Sequence, residues 1–262
     1  MSRATHLSAL VLAVALVATP AIGWAAEPSA GDPATLGVIR GLGFEQAKTQ
    51  AMDYLKSHKP ALTAQGEALW NPSEERPLLD RVAETLMLAC DDARKLVETA
   101  RNPKSPAPTE VPALLRNAQC PAFFRANLGL YIAKQYANRR VHEQAIDILR
   151  STRPEYVVDP ASYYFYKAVA ENKLLLKDDG LQSIDRLTFN VQDAPERYIV
   201  LATLMKAEML GWKEKDLAHA GRLMEEIEGR LEIARGGPKT QGKQKEVIAI
   251  LDKLIEDLEK QC

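Results

Sequence analysis

The amino-acid sequence predicts an all-α protein made of antiparallel helical hairpins stacked into a short array. Apolar residues recur at spacings of three and four through most of the chain, the period that gives a helix one buried face. From Pro121 onward, prolines and glycines interrupt this pattern at regular intervals, as expected for helices joined by short connections. Alternating polar and apolar residues, the pattern typical of strands, are nearly absent. We therefore expect helices and no β-sheet.

Residues 1–25 have the layout of a secretory signal peptide. Arg3 precedes an uncharged, largely apolar run at 7–22, and Gly23 and Ala25 supply small side chains before the predicted cleavage after Ala25. The run is shorter than the ~20 residues that a membrane-spanning helix needs, and no later stretch is long and apolar enough. We expect an exported protein, periplasmic or secreted, whose mature chain is not membrane-spanning. A signal retained as an N-terminal anchor is the alternative.

Residues 26–102 are predicted to contain a flexible start and two helices. A segment rich in Pro, Ala, Ser and Gly comes first. The sequence "GFEQAKTQAMDYLKSH" predicts a helix that ends before Pro60, and "RPLLDRVAETLMLACDDARKLVETARN" predicts a second helix with Pro77 at its start. Four prolines at 103–120 exclude a continuous helix, so we interpret this segment as a linker to the main body.

Residues 121–234 repeat with a period of 37. The first helix of each predicted pair contributes a column of alanines: Ala133, Ala170 and Ala207. The second helix contributes a column of small residues: Ala145, Ser183 and Ala220. Small side chains at a contact let two helices approach closely. The period therefore predicts three successive helical hairpins.

The first unit resembles the tetratricopeptide repeat (TPR) family. Its small residue, its aromatic residue and the alanine of its second helix, at Ala133, Tyr136 and Ala145, have the spacing of that family. The later units depart from it, with Lys173 and Leu210 at the aromatic position and a period longer than about 34 residues. The resemblance implies a degenerate TPR-like array with an open concave face; a closed helical bundle is the alternative. The stretches "VVDPASYYFYKAVAE" and "LDKLIEDLEK" also resemble bacterial exported proteins of unknown function.

Residues 235–262 are predicted to form a loop and a C-terminal amphipathic helix. The apolar side of this helix comprises six residues: Val247, Ile250, Leu251, Leu254, Ile255 and Leu258. The stripe is wider than a coiled-coil seam and lasts about two heptads. It favours a capping helix that closes the array. A homodimer through this helix or through Cys262 is the alternative.

Charge and cysteine usage argue against several classes of function. The chain has 34 basic and 35 acidic residues, whereas nucleic-acid binding needs clustered positive charge, so no nucleic-acid partner is expected. No CxxC motif is present and the histidines lie far apart, so neither a metal nor another cofactor is expected. Cys90 is expected in the core. Its pairing with Cys120 stays open, and Cys262 either joins a second chain or remains free.

The predicted partner-binding surface lies on the first helix of each pair, on its outward-pointing positions. Five side chains are candidates: Asn127, Lys134, Tyr164, Glu171 and Glu208. Polar side chains on a concave helical face bind extended peptides through charge and hydrogen bonds. The leading hypothesis is therefore an exported, non-enzymatic scaffold for a protein or peptide partner.

Two other functions remain as alternatives. Glu171 and Glu208 fall on neighbouring helices, which pack about 8–10 Å apart, and a hydrolytic acid–base pair needs about 5–9.5 Å. This geometry permits a carboxylate-dependent hydrolase of an envelope polymer. No histidine, oxyanion-binding glycine turn or aromatic sugar platform accompanies the pair in sequence, so no catalytic residue is assigned. A purely structural helical dimer is the other alternative.

Overall fold

The protein is all-α, as the sequence predicts. The computed structural model describes residues 38–260, which belong to one compact unit. The helices are α1 (Phe44–His58), α2 (Thr63–Ala68), α3 (Leu78–Ala89), α4 (Asp91–Arg101), α5 (Ala113–Arg116), α6 (Ala122–Asn138), α7 (His142–Ser151), α8 (Pro160–Lys173), α9 (Lys177–Asp185), α10 (Glu196–Leu210), α11 (Leu217–Glu232) and α12 (Pro238–Glu259). Within this part of the chain no strand is present, and Ile39 and Val191 form an isolated bridge. The predicted signal peptide and Cys262 lie outside the described residues.

The second predicted helix is in fact two helices, because the chain breaks at Cys90. Cys90 has an extended backbone (φ −136°, ψ 115°) between α3 and α4. Asp91 and Asp92 follow in the first turn of α4, where the helix dipole favours carboxylates. The break leaves Cys90 half-buried, not fully in the core, and both Cys90 and Cys120 are free thiols. The expectation of one continuous helix is therefore wrong.

The proline-rich segment at 103–120 packs against the rest of the protein. It contains α5, whose Leu115 is buried. Both α3 and α4 pack on α6, so the N-terminal helices share one core with the helices that follow. Arg139, in the turn after α6, donates hydrogen bonds to the carbonyls of Ala100 and Ser105. The prolines end the helix, but the apolar residues between them still bury their surface. The segment is not a free linker.

The centre of the molecule is α6, which is buried on most of its sides. It packs on α7 and α8, and α8 packs in turn on α9. Five small residues of the 37-residue period are buried: Ala133, Ala145, Ala170, Ser183 and Ala220. Ala207 on α10 is exposed. The small residues of the period are therefore buried in the first two units, whereas the corresponding residue on α10 is exposed.

The third predicted hairpin differs from expectation, because the main neighbour of α11 is α12. The two helices enclose a small core of their own: Ala220, Leu223, Ile227, Val247 and Ile250. Arg230 Nε donates to Thr240 Oγ1 at 2.7 Å, and Lys243 Nζ lies 2.7 Å from Glu226 Oε2. Moving along α11 from Glu226 to Arg230, the partner on α12 moves back from Lys243 to Thr240. The two helices therefore run antiparallel.

The predicted apolar stripe of the C-terminal helix is only partly covered by the rest of the protein. Val247 and Ile250 are buried against α11, whereas Ile255 and Leu258 are exposed. None of the described helices combines the length and the apolar character that crossing a membrane requires.

Candidate functional site

A cavity of about 510 Å³ lies where the C-terminal ends of α6, α8 and α10 face one side of α11. It is located at the boundary between the main core and the small core of the α11–α12 hairpin. Its apolar lining consists of Ala137, Val169, Leu174, Leu175, Trp212 and Ile233. Ligand sites commonly have volumes of about 300–1,000 Å³. We therefore take this cavity as the candidate functional site.

Two similar turns bring helix ends to the cavity. The turn after α6 contains Arg140 (φ 61°) and the turn after α8 contains Leu175 (φ 59°), both with a left-handed backbone. The next N–H groups, of Val141 and Leu176, donate hydrogen bonds of 2.9 and 2.8 Å to carbonyls five residues earlier. This is the Schellman arrangement that ends many helices. Arg140 and Leu175 both lie in the cavity wall as a result.

Apart from Glu226, whose Oε2 is ion-paired with Lys243, three polar side chains in the cavity wall carry a buried atom without a hydrogen-bond partner in the protein. These atoms are His142 Nδ1, Asn172 Nδ2 and Arg222 Nε. Asn172 is only 6% exposed. A buried polar group that makes no hydrogen bond costs about 1–3 kcal/mol, and such groups are few in native proteins. All three atoms are enclosed by protein atoms beside the cavity, so a ligand would reach them only after a side chain rotates.

The charges in the cavity wall are balanced. Five are basic and five are acidic: Arg140, Lys173, Arg222, Arg230, Arg235, and Glu143, Glu208, Glu225, Glu226, Glu228. Arg222 lies over the ring of Trp212 at 5.1 Å, and Trp212 Nε1 donates to Glu208 Oε1 at 3.4 Å. A wall of mixed sign with apolar residues favours a ligand of mixed character over a strongly charged one.

Glu143 connects the main body to the C-terminal hairpin. Its Oε1 lies 2.5 Å from Arg230 Nη1 and its Oε2 lies 2.7 Å from Arg235 Nη1, while Lys239 also binds Oε1. Burial by itself raises the pKa of Glu143, but the hydrogen bonds from Lys239 and Arg230 outweigh this effect and lower the pKa to about 2. The carboxylate therefore stays charged and holds α11 beside the cavity.

His142 is a neutral imidazole in the cavity wall at neutral pH. Burial lowers the pKa of His142 to about 4, and the positive charges of Lys173 and Arg140 act in the same direction. A neutral imidazole has one N–H donor and one nitrogen acceptor. His142 can therefore serve either a carbonyl or an N–H group of a ligand.

Asn127, one of the predicted partner-binding residues, is fully buried and supports the fold. Its Nδ2 donates to the carbonyls of Phe123 and Tyr156, both at 2.9 Å, and its Oδ1 accepts from Val158 N–H at 2.8 Å. The side chain holds the connection between α7 and α8 against α6. The expectation that Asn127 points outward is wrong, because this connection covers it.

Asn127→Leu should lower the free energy of unfolding by about 2 kcal/mol. The carbonyl of Tyr156 and the buried N–H of Val158 would each lose a hydrogen bond. Urea unfolding followed by circular dichroism measures the change. Gln119→Leu, at an exposed position before α6, is the control and should change stability by less than about 0.5 kcal/mol. Equal losses in the two variants would contradict the assigned role.

Tyr164 and Glu171 are also buried, because α9 covers this side of α8. The ring of Tyr164 packs edge-on against Tyr163 with centroids 4.9 Å apart. Glu171 Oε1 lies 3.3 Å from Lys167 Nζ, which also donates to Ser183 Oγ at 3.2 Å. Burial raises the pKa of Glu171. The expectation that these two side chains point outward is therefore wrong.

Lys134 and Glu208 keep access to solvent. Lys134 is half-buried on α6, whereas Glu208 is exposed and lines the cavity. Glu171 is not part of the cavity wall, so the two carboxylates considered as an acid–base pair do not lie in one site. Of the five predicted residues, Glu208 is the one that the structure places in the cavity.

Sequence reasoning missed most of the cavity wall. His142, Asn172 and Arg222 come from separate segments, and no spacing rule connects them. Arg140 belongs to the turn between α6 and α7, which contains no recognisable site motif. One usable signal for the site existed in the sequence. Lys173 stands where the repeat pattern has an aromatic residue, and the Lys173 side chain lies in the cavity wall.

Among residues 38–260, no group of three His, Cys, Asp or Glu side chains could hold a metal ion. Comparisons with protein-family models, curated proteins and solved structures find no match to this chain. The cavity and its contacts are therefore the basis for a functional proposal.

Proposed function

We propose that this protein is an exported, non-enzymatic scaffold that binds a segment of a peptide or protein partner in the cavity beside α11. The observation that carries the proposal is the set of buried, unpaired polar atoms on His142, Asn172 and Arg222. Every peptide unit presents one carbonyl acceptor and, proline excepted, one N–H donor. A peptide backbone can thus form hydrogen bonds with the Asn172 amide, the Arg222 guanidinium and either tautomer of the neutral His142 ring. Export rests on the pattern at residues 1–25.

The composition of the cavity wall supports a peptide over a compact ion. Its basic and acidic side chains are equal in number, so neither a highly charged anion nor a cation gains a net attraction. Trp212, Leu174 and Ile233 offer apolar surface beside the polar atoms. A peptide segment carries both kinds of group at close intervals, which matches this wall.

Selection from a library of random short peptides displayed on phage tests the proposal, with the chain from Ala26 onward as the bait. We expect enrichment of a recognisable sequence class. Binding of a synthetic, labelled copy is then measured by fluorescence polarisation. The emission of Trp212 should also change on binding, because its ring lies in the cavity wall. Failure to enrich any peptide over an unrelated helical protein would contradict a peptide-binding function.

Asn172→Leu should weaken binding of the selected peptide by about tenfold. The variant keeps the approximate volume of the side chain but removes the unpaired amide, and a hydrogen bond is worth about 0.5–1.5 kcal/mol. Asn117→Leu, exposed before α6, is the matched control and should bind like the unmodified protein. Lys134→Glu tests instead whether the peptide binds the solvent-facing side of α6, outside the cavity. Loss of binding in Lys134→Glu with full binding in Asn172→Leu would place the partner on α6 and contradict the cavity.

A further inference from the structure

The α11–α12 hairpin exposes a row of large apolar side chains at spacings of seven. On α11 these are Leu217, Met224 and Leu231, and on α12 they are Ile248 and Ile255. All five are between 48% and 68% exposed. We call this set the outer face. Contiguous exposed apolar surface of this kind on a protein marks an interaction site.

The five side chains lie on one side of the hairpin. Successive residues of a helix are rotated by about 100°, so Met224 lies roughly 80° around α11 from the row that faces α12. Ile248 lies roughly 110° around α12 from its own inward row, in the same rotational sense. Because the two helices run antiparallel, equal rotational senses bring both rows to the same side. The cavity-lining Arg222 and Gly229 lie on the other side of α11.

The side of the hairpin that carries the outer face approaches the size of a protein–protein contact. α11 has 16 residues and α12 has 22, so at ~1.5 Å per residue they are ~24 and ~33 Å long. Two helices of ~10 Å diameter side by side present roughly 500–600 Å² of flat face. The accessible area of such a surface is larger, and a standard interface buries about 800 Å² per partner.

We propose that the outer face is the contact between two copies of this chain. The links Arg230–Thr240 and Glu226–Lys243 show which positions of α11 and α12 are level along the hairpin. By the same offset, Leu217 is level with residues 252–253 and Met224 with residues 245–246, so Ile255 and Ile248 each lie two to three residues, roughly 4 Å, further along α12. A two-fold axis parallel to the helices preserves these levels. It places the row of Leu217 and Met224 of one copy alongside the row of Ile255 and Ile248 of the other, staggered by roughly 4 Å, so the face packs against its own copy.

The sequence after α12 agrees with this arrangement. Cys262 comes three residues after Glu259, the last residue of α12, and lies outside the described residues. A two-fold axis parallel to the helices brings the C-terminal ends of both α12 helices to the same end of the dimer. The apolar contact does not require a disulfide, so the dimer should persist under reducing conditions and in Cys262→Ser.

Sedimentation equilibrium of the chain from Ala26 onward, with a thiol reductant present, tests the proposal. We expect twice the chain mass. Met224→Glu and Ile248→Glu should each raise the dimer dissociation constant by at least tenfold, because each places a carboxylate in the apolar contact. Both positions are exposed in the single chain, so the helical circular dichroism should be unchanged.

Leu204→Glu is the matched control, since Leu204 is exposed on α10 outside the outer face. It should leave the dimer intact. A monomeric mass for the unmodified chain under reducing conditions would overturn the proposal, as would a dimer that Met224→Glu and Ile248→Glu leave unchanged. A dimer seen without reductant and lost in Cys262→Ser would likewise overturn it, since the cysteine alone would then join the chains. None of these outcomes depends on peptide binding.

Discussion

Glu143→Gln should lower the free energy of unfolding by about 3 kcal/mol and loosen the α11–α12 hairpin before the rest of the protein. Glu143 is bound to Arg230, Arg235 and Lys239, all of them in the C-terminal part of the chain. The two arginine side chains are largely buried. Removing one partner of a buried ion pair typically costs about 3–5 kcal/mol, because an uncompensated charge remains. Here the loss of one carboxylate leaves three cations close together.

Urea unfolding measures the total loss for Glu143→Gln, and hydrogen exchange with mass spectrometry locates it. Peptides from 217–259 should exchange faster, whereas peptides from α6 and α8 should stay protected. Glu110→Gln is the matched control, because the ion pair between Glu110 and Arg116 is exposed and is worth at most about 1 kcal/mol. Uniformly faster exchange along the whole chain would contradict a local attachment of the hairpin at Glu143.

His142 should make the protein lose stability as the pH falls from 6.5 to about 4. The pKa of His142 is lowered from its ordinary value of 6.5 to about 4 in the folded chain. Above pH 6.5 the ring is neutral in both the folded and the unfolded state, so its contribution to stability is complete. Between pH 6.5 and 4 the unfolded state takes up a proton that the folded state does not bind. At ~1.4 kcal/mol per pKa unit, the loss is at most about 3.5 kcal/mol.

Glu143 adds a second acid step at lower pH. Its pKa is lowered from 4.5 to about 2, so its stabilising contribution is complete above pH 4.5 and is lost as the pH falls toward 2. Urea unfolding at a series of pH values separates the steps. His142→Gln should flatten the profile between pH 6.5 and 4, whereas the exposed His58→Gln should keep the original slope. Parallel profiles for the unmodified chain and His142→Gln would exclude His142 as the source of the first step.

The helices could be located from the sequence because their signals are local. Prolines at positions 121, 160, 195 and 238 stand at helix starts, and the apolar spacing marks the helices that follow. The break at Cys90 was not predictable from the same signals, since the apolar pattern runs through it. Which polar side chains are exposed to solvent was harder to predict than where the helices lie. Asn127 and Glu171 are polar residues on predicted helices, and a polar side chain indicates solvent only when no other segment covers it.

The sequence by itself determined that this protein is all-α and that Ala133 and Ala170 pack at helix contacts, because residue spacing along a helix decides which face is buried. Only the tertiary structure decided that α11 pairs with α12 and that a cavity forms beside them. Glu143 and Arg230 are 87 residues apart in the chain, and they meet because the intervening helices fold back on each other. Contacts at such a separation depend on how whole helices pack, which no local pattern encodes.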